Sequence, residues 1–127
     1  MSSKNTVQEY FSAFGQKQNW ENYASEDIVF EGPMPTINGK EQWVEMTNMF
    51  IMGVTSSSLN STICEGDKVA VTATYNMALP TGDTHTLQTL EIYTVKDKKI
   101  SHILLSFDTA AFNEFMAKMP QPSTQSN

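Results

Sequence analysis

The feature that most limits how this chain folds is a change of hydrophobic period near Gly53. Before it, apolar residues recur every three or four positions, the spacing of a helix face. After it, Leu59–Cys64, Val69–Leu79, Thr84–Val95 and Ile100–Phe107 alternate or run β-branched, the period of strands. Glu65-Gly66-Asp67, Pro80-Thr81-Gly82-Asp83 and Lys96-Asp97-Lys98-Lys99 lie between them and are short enough for hairpins. The second half of the chain therefore predicts an antiparallel meander of four strands.

The first half supplies helices to cover it. Thr6 and Glu9 stand in capping-box spacing ahead of the stripe Val7, Tyr10, Phe11 and Phe14, with Gly15 as the stop. Trp20, Tyr23 and Ala24 share a face of a short second helix that Asn19 would cap. Ile28–Glu31 reads as a brief strand, broken by Gly32-Pro33-Met34-Pro35. Asn38-Gly39 leads into a third helix with Trp43, Met46 and Phe50 on one face, widened by Val44 and Ile51. A last helix runs from Thr109 through Phe112, Phe115, Met116 and Met119 to Pro120, and a polar tail follows that is expected to be disordered. The order α-α-β-α-β-β-β-β-α defines an α+β domain, with helices on one face of a curved sheet and an apolar pocket between the layers. At 127 residues this is a single domain, residues 1–127, with an ordered core of about 5–119.

Charge narrows the partners. Fourteen acidic and eight basic side chains give a net charge of −6, which repels nucleic-acid phosphates and anionic lipids. No apolar run approaches the roughly 18 residues of a membrane span. The lone Cys64 rules out an internal disulfide, and the N-terminus Met-Ser-Ser-Lys-Asn-Thr lacks an apolar stretch, so a reducing, cytoplasmic location is expected. Cys64 itself reads as a small buried hydrophobe rather than a nucleophile. Glycine-rich phosphate loops, paired metal-ligand spacings and the Gly-x-Ser-x-Gly elbow are missing from the sequence, so neither a metal nor another cofactor is expected.

Polar residues in the last two strands suggest where chemistry would sit. A two-residue turn at Asp97-Lys98 sets residue 91 opposite 104, 93 opposite 102 and 89 opposite 106. Thr89, Glu91, Tyr93, His102, Leu104 and Ser106 then share one face, with Asp108 at its rim. A slip of one residue would replace the second strand's contribution by Ile103, Leu105 and Phe107. Glu91 stands out as a carboxyl within an otherwise apolar strand, either facing an apolar pocket, where burial favours its neutral form, or facing solvent or a partner strand. Asp108 reads as an acid–base group or, since it directly precedes the last helix, simply as that helix's N-cap. His102 reads as a proton carrier near neutrality or as a satisfied strand residue. His85 is expected to be exposed, and Tyr10 reads either as a site hydroxyl or as a core aromatic.

Three short segments, Val7-Gln8-Glu9-Tyr10-Phe11, Ile28-Val29-Phe30-Glu31-Gly32-Pro33 and Leu90-Glu91-Ile92-Tyr93, occur in the order that resembles the SnoaL-like and ketosteroid-isomerase-like branch of the nuclear transport factor 2-like superfamily, over about residues 5–119. The resemblance implies a cone with one deep pocket, frequent dimerisation, and a membership of isomerases, cyclases, epoxide hydrolases and non-catalytic binding domains. It implies that Glu91 stands where the isomerases keep a protonated acid and Tyr10 where they keep a tyrosine, the pair donating hydrogen bonds to an oxyanion. The isomerases' general base, an Asp before the first-strand proline, is replaced by Gly32, with Glu31 one residue earlier and aimed at the other face unless a bulge re-aims it. By analogy with polyketide-cyclase-like relatives, Asp108 and His102 would move protons. Phe14, Trp43, Phe50, Tyr93, Leu104 and Ser106 are expected to contact substrate. The implied function is cofactor-free isomerisation or cyclisation of an apolar carbonyl compound, steroid- or polyketide-like. The alternative is a ligand-binding or dimerisation domain without catalysis. The expected partners are a small apolar molecule and a second copy of the chain.

Overall fold

The computed structural model describes residues 2–119, so the expected tail after Pro120 lies outside the described residues. Helix α1 spans Ser3–Gln16. It starts earlier than the Thr6–Glu9 spacing predicts, because the Ser2 side chain caps it, accepting the Asn5 N–H at 3.1 Å. Thr6 is buried within the helix instead. The C-terminal cap is Lys17 in the left-handed conformation, two residues past Gly15, donating to the carbonyls of Ala13 and Phe14. The expected second helix is one 3₁₀ turn, Trp20–Tyr23, and Asn19 makes no side-chain cap there.

Strand β1 covers Ala24–Gly32 and turns directly into β2, Met34–Asn38. The sequence did not predict β2, because Pro33 and Pro35 read as strand breakers. At a sheet edge a proline's missing N–H removes no ladder bond, which is why the strand tolerates them. Helix α2, Lys40–Met52, follows, then β3 Val54–Glu65, β4 Lys68–Ala78, β5 Thr84–Lys96, β6 Lys99–Phe107 and helix α3 Thr109–Met116. Met119 falls beyond the last helix rather than within it.

The six strands form one curved, open sheet in the order β2-β1-β6-β5-β4-β3. The meander β3–β6 is antiparallel as its turns require, while β1 lies parallel to β6, making the whole sheet mixed. Helices α1 and α2 cover the concave face. Val7, Tyr10, Phe11 and Phe14 of α1 and Trp43 and Ile51 of α2 bury against Val69, Val71, Ala73, Tyr75 and Met77 of β4 and Ile28 and Phe30 of β1. Each such large side chain contributes about 1.5–3 kcal/mol by leaving water. Among the described residues no helix is long and apolar enough to cross a membrane.

One irregularity decides what faces inward. The Asp97-Lys98 turn has the expected two residues, both with positive φ (53° and 64°). After Val95↔Ile100, however, the ladder resumes at Thr94↔His102, leaving Ser101 as an extra residue whose hydroxyl donates to the Thr94 carbonyl at 3.3 Å. From there Tyr93 pairs with Ile103, Glu91 with Leu105 and Thr89 with Phe107. The predicted pairing of 91 with 104 is therefore off by one, and His102, Leu104 and Ser106 turn to the convex face.

Candidate functional site

The interior carries one carboxyl among the described buried residues, that of Glu91, at 3 % exposure. It sits midway along β5 on the concave face, between Val71 of β4 and Leu105 of β6. Three hydroxyls converge on it. Tyr75 and Thr89 both donate to Oε2 at 2.7 Å, and Tyr93 donates to Oε1. Three directed bonds, spread over both oxygens, hold this group in one rotamer.

Rings surround the cluster. Tyr10 of α1 lies 6.0 Å from Tyr93 and 6.2 Å from Trp43, centroid to centroid. Phe14 and Phe50 pack on Tyr75 at 5.7 and 5.4 Å. Burial, and after it the charge of Glu91, pushes the Tyr10, Tyr75 and Tyr93 hydroxyls above their ordinary value of 10.0. They remain neutral hydrogen-bond donors throughout the physiological range. The arrangement offers a positioned carboxyl and a set of phenol donors in surroundings from which water is excluded.

Tyr10, Phe14, Trp43, Phe50, Tyr93 and Glu91 thus come together between sheet and helices. Tyr10 shares the space but does not bond the carboxyl, which is engaged by Tyr75, Thr89 and Tyr93. Tyr75 was missed as a site residue. The signal was present, since it continues the inward alternation Val69, Val71, Ala73, Tyr75 on the strand beside Glu91.

His102, Leu104, Ser106 and Asp108 are not brought to this cluster. The extra residue at Ser101 puts His102, Leu104 and Ser106 on the convex face, with Leu104 at 42 % exposure. There His102 Nε2 meets Glu31 Oε2 at 2.6 Å, a half-exposed pair. Glu31 accordingly faces outward and does not stand in for the carboxyl absent at Gly32. Asp108 is exposed and caps α3, its Oδ1 accepting the Ala111 N–H at 3.2 Å. His85 is half-buried rather than exposed, stacked on Phe115 at 5.1 Å. Cys64 is exposed, not buried, because it lies on the outer edge strand. Glu91 lines neither of two open surface depressions, one between α1 and β3 and the other beside the 3₁₀ turn. Among the described residues no cluster of ligating side chains fits a metal ion.

The sequence profile of the SnoaL-like domain matches residues 7–103. Among curated proteins no sequence matches the chain. Solved structures do. TerC, co-crystallised with polyporic acid, superposes with a TM-score of 0.80 at 20% identity, over 91% of this chain and 98% of that one. A candidate SnoaL-like polyketide cyclase from Jannaschia sp. CCS1 gives 0.79 at 17% identity, covering 93% of each chain. AclR, a candidate hydroxylase from Streptomyces galilaeus, gives 0.76 at 17% identity, over 96% of this chain and 89% of that one.

Proposed function

The chain belongs to the SnoaL-like domain family, and on that premise we propose that it is an isomerase or cyclase that moves a proton next to a carbonyl on a small, largely apolar, polyketide- or steroid-like molecule. The observation that carries this reading is the interior carboxyl of Glu91, fixed by Tyr75, Thr89 and Tyr93 under the ring of Tyr10. Glu91 takes the proton from the carbon beside the carbonyl, the bonding pair moves onto the carbonyl oxygen, and the neutral Tyr10 hydroxyl donates to the developing oxyanion. Returning the proton at another carbon isomerises the substrate; alternatively the enolate carbon attacks a second carbonyl of the same molecule, whose π pair moves onto its oxygen, and that alkoxide takes back the proton held by Glu91, closing a ring. One such donor is worth about 3 kcal/mol in the transition state. Proton transfer through His102 or Asp108 has no place here, because both stand outside the interior.

Polyporic acid, the compound co-crystallised with TerC, is the first probe. Its binding is followed through the fluorescence of Trp43, buried beside Tyr10. Saturable quenching is expected, weakened tenfold or more in Tyr10→Phe and Glu91→Gln. Chemistry is read separately, as deuterium uptake from D₂O at the carbon next to the carbonyl of tetralone, lost about 100-fold in Glu91→Gln. Wild-type behaviour of both variants in both assays overturns the reading. Binding without exchange supports a second reading, a non-catalytic ligand-binding domain, favoured by the three hydroxyls that already occupy both oxygens of Glu91.

We further propose a homodimer through the convex sheet face in a reducing, cytoplasmic setting. Ile63, Ala70, Ile92 and Leu104 form a cross-strand apolar row there, beside the exposed Leu90. Sedimentation at twice the chain mass of 14.2 kDa is expected, reduced to one chain by Leu104→Lys. A monomeric wild type sinks this part.

A further inference from the structure

The Glu91 cluster is sealed, so a ligand reaches it only if some part of its wall yields. Along the concave face the carboxyl lies in a cross-strand row. Val71, on one side, is fully buried, and Leu105, on the other, is half-buried. Next to Leu105 lies Gly32 at the end of β1, where no side chain projects. A Cβ placed on Gly32 would stand 2.9 Å from the Met34 sulfur, 3.3 Å from the Leu105 carbonyl oxygen and 3.4 Å from the Leu105 Cβ. The thioether of Met34 therefore fills the gap that the glycine leaves.

Met34 is well suited to leave that gap. Its side chain is unbranched and fills irregular space without a fixed shape. It lies between Pro33 and Pro35 at the start of β2, a five-residue edge strand whose pairing with β1 shifts register between Phe30 and Gly32. Among the described residues no second strand holds β2 from outside. Phe50, a half-buried ring near the cluster, is braced by both Phe14 and Tyr75, and the half-buried Tyr23 packs edge-on against Tyr10. Of these, the methionine over a glycine is the one that can move without disturbing the aromatic core.

We propose that Met34 is the plug and the specificity-determining residue of the Glu91 site. Its displacement at the Gly32–Leu105 gap admits apolar molecules to the carboxyl, and a larger, stiffer side chain at position 34 excludes them. The proposal rests on the reading of Glu91 as the ligand-binding carboxyl, and the experiment separates the two. The probe is dicyclohexylcarbodiimide, an apolar reagent to which a carboxyl adds, and peptide mass spectrometry gives the rate of labelling at Glu91. Labelling is expected to rise at least fivefold in Met34→Ala and to fall at least fivefold in Met34→Phe. Met52→Ala, at an exposed position of α2, is expected to leave it unchanged. The Met34→Phe arm carries the test where the alanine variant does not fold. Rates unaffected by either Met34 substitution, or raised as much by Met52→Ala, overturn the proposal. Labelling that follows Met34 while polyporic acid fails to bind any variant upholds the plug and removes the ligand reading alone.

Discussion

Glu91 and Glu31 lie near one another in the same sheet and have opposite surroundings. On the concave face, Glu91 is nine-tenths or more buried and accepts hydroxyl bonds from Tyr75, Thr89 and Tyr93. On the convex face, Glu31 is half-exposed and meets a single partner, His102. The difference is one of solvation more than of contact number. A buried carboxyl depends on its partners to replace water, and they on it, whereas an exposed one has water as a ready substitute. A short contact distance does not measure this, since the outer pair, at 2.6 Å, is as close as the inner ones.

The largest effect expected from this contrast is on stability. Glu91→Ala leaves three buried hydroxyls without their acceptor and opens a space among the rings, at a cost of about 3–5 kcal/mol. The same truncation at Glu31 costs less than about 1 kcal/mol, the usual worth of a solvent-exposed ion pair. Urea unfolding of the two variants measures both. Equal losses would show that the inner cluster is no more than another surface-like pair.

How far the site could be seen in advance follows from the same two residues. Glu91 was visible because a carboxyl breaks the apolar run Leu90–Val95, and Tyr10 because it lies on the apolar stripe of α1. The period change at Gly53 showed the meander and the layering of helices on it. What stayed hidden was the extra residue at Ser101: hydroxyl-containing residues are ordinary in strands, and the bulge becomes apparent only where β6 must present Ile103 to the core. The register error moved His102, Leu104 and Ser106 to the wrong face together, as a period of two requires. β2 stayed hidden for a different reason. Its prolines are breakers in a central strand and harmless at an edge, and edge position is a property of the whole sheet.

The next effect depends on pH. Tyr10, Tyr75 and Tyr93 all belong to the inner face, and burial raises each above its ordinary value of 10.0, with Glu91 adding to the shift. In the unfolded chain they release protons near pH 10, while in the folded protein they keep them, so the native state binds more protons there. Stability is therefore complete below about pH 10 and falls as pH rises beyond it, by about 1.4 kcal/mol per tyrosine per pH unit. The outer face has no such group. Phenolate absorbance and loss of ellipticity should rise together in one alkaline transition, and Tyr10→Phe should make it shallower. Phenolate from these three residues appearing while the fold persists would mean that the inner hydroxyls are open to solvent.

The smallest effect tests what separates the two faces. Because Ser101 is the residue left over between Val95↔Ile100 and Thr94↔His102, its deletion lets the ladder run on regularly while Ile103, Leu105 and Phe107 still face inward. The cost is the hydroxyl bond to the Thr94 carbonyl and a readjustment against β1, about 1–2 kcal/mol. His102 should remain beside Glu31 on the convex face, with its imidazole resonances at the positions they have in the parent chain's NMR spectrum. A deletion variant that fails to fold, or in which His102 becomes shielded from solvent, would place the determinant of facing elsewhere in β6. The outer pair and the inner cluster would then owe their separation to packing against β1 and α1 rather than to one inserted residue.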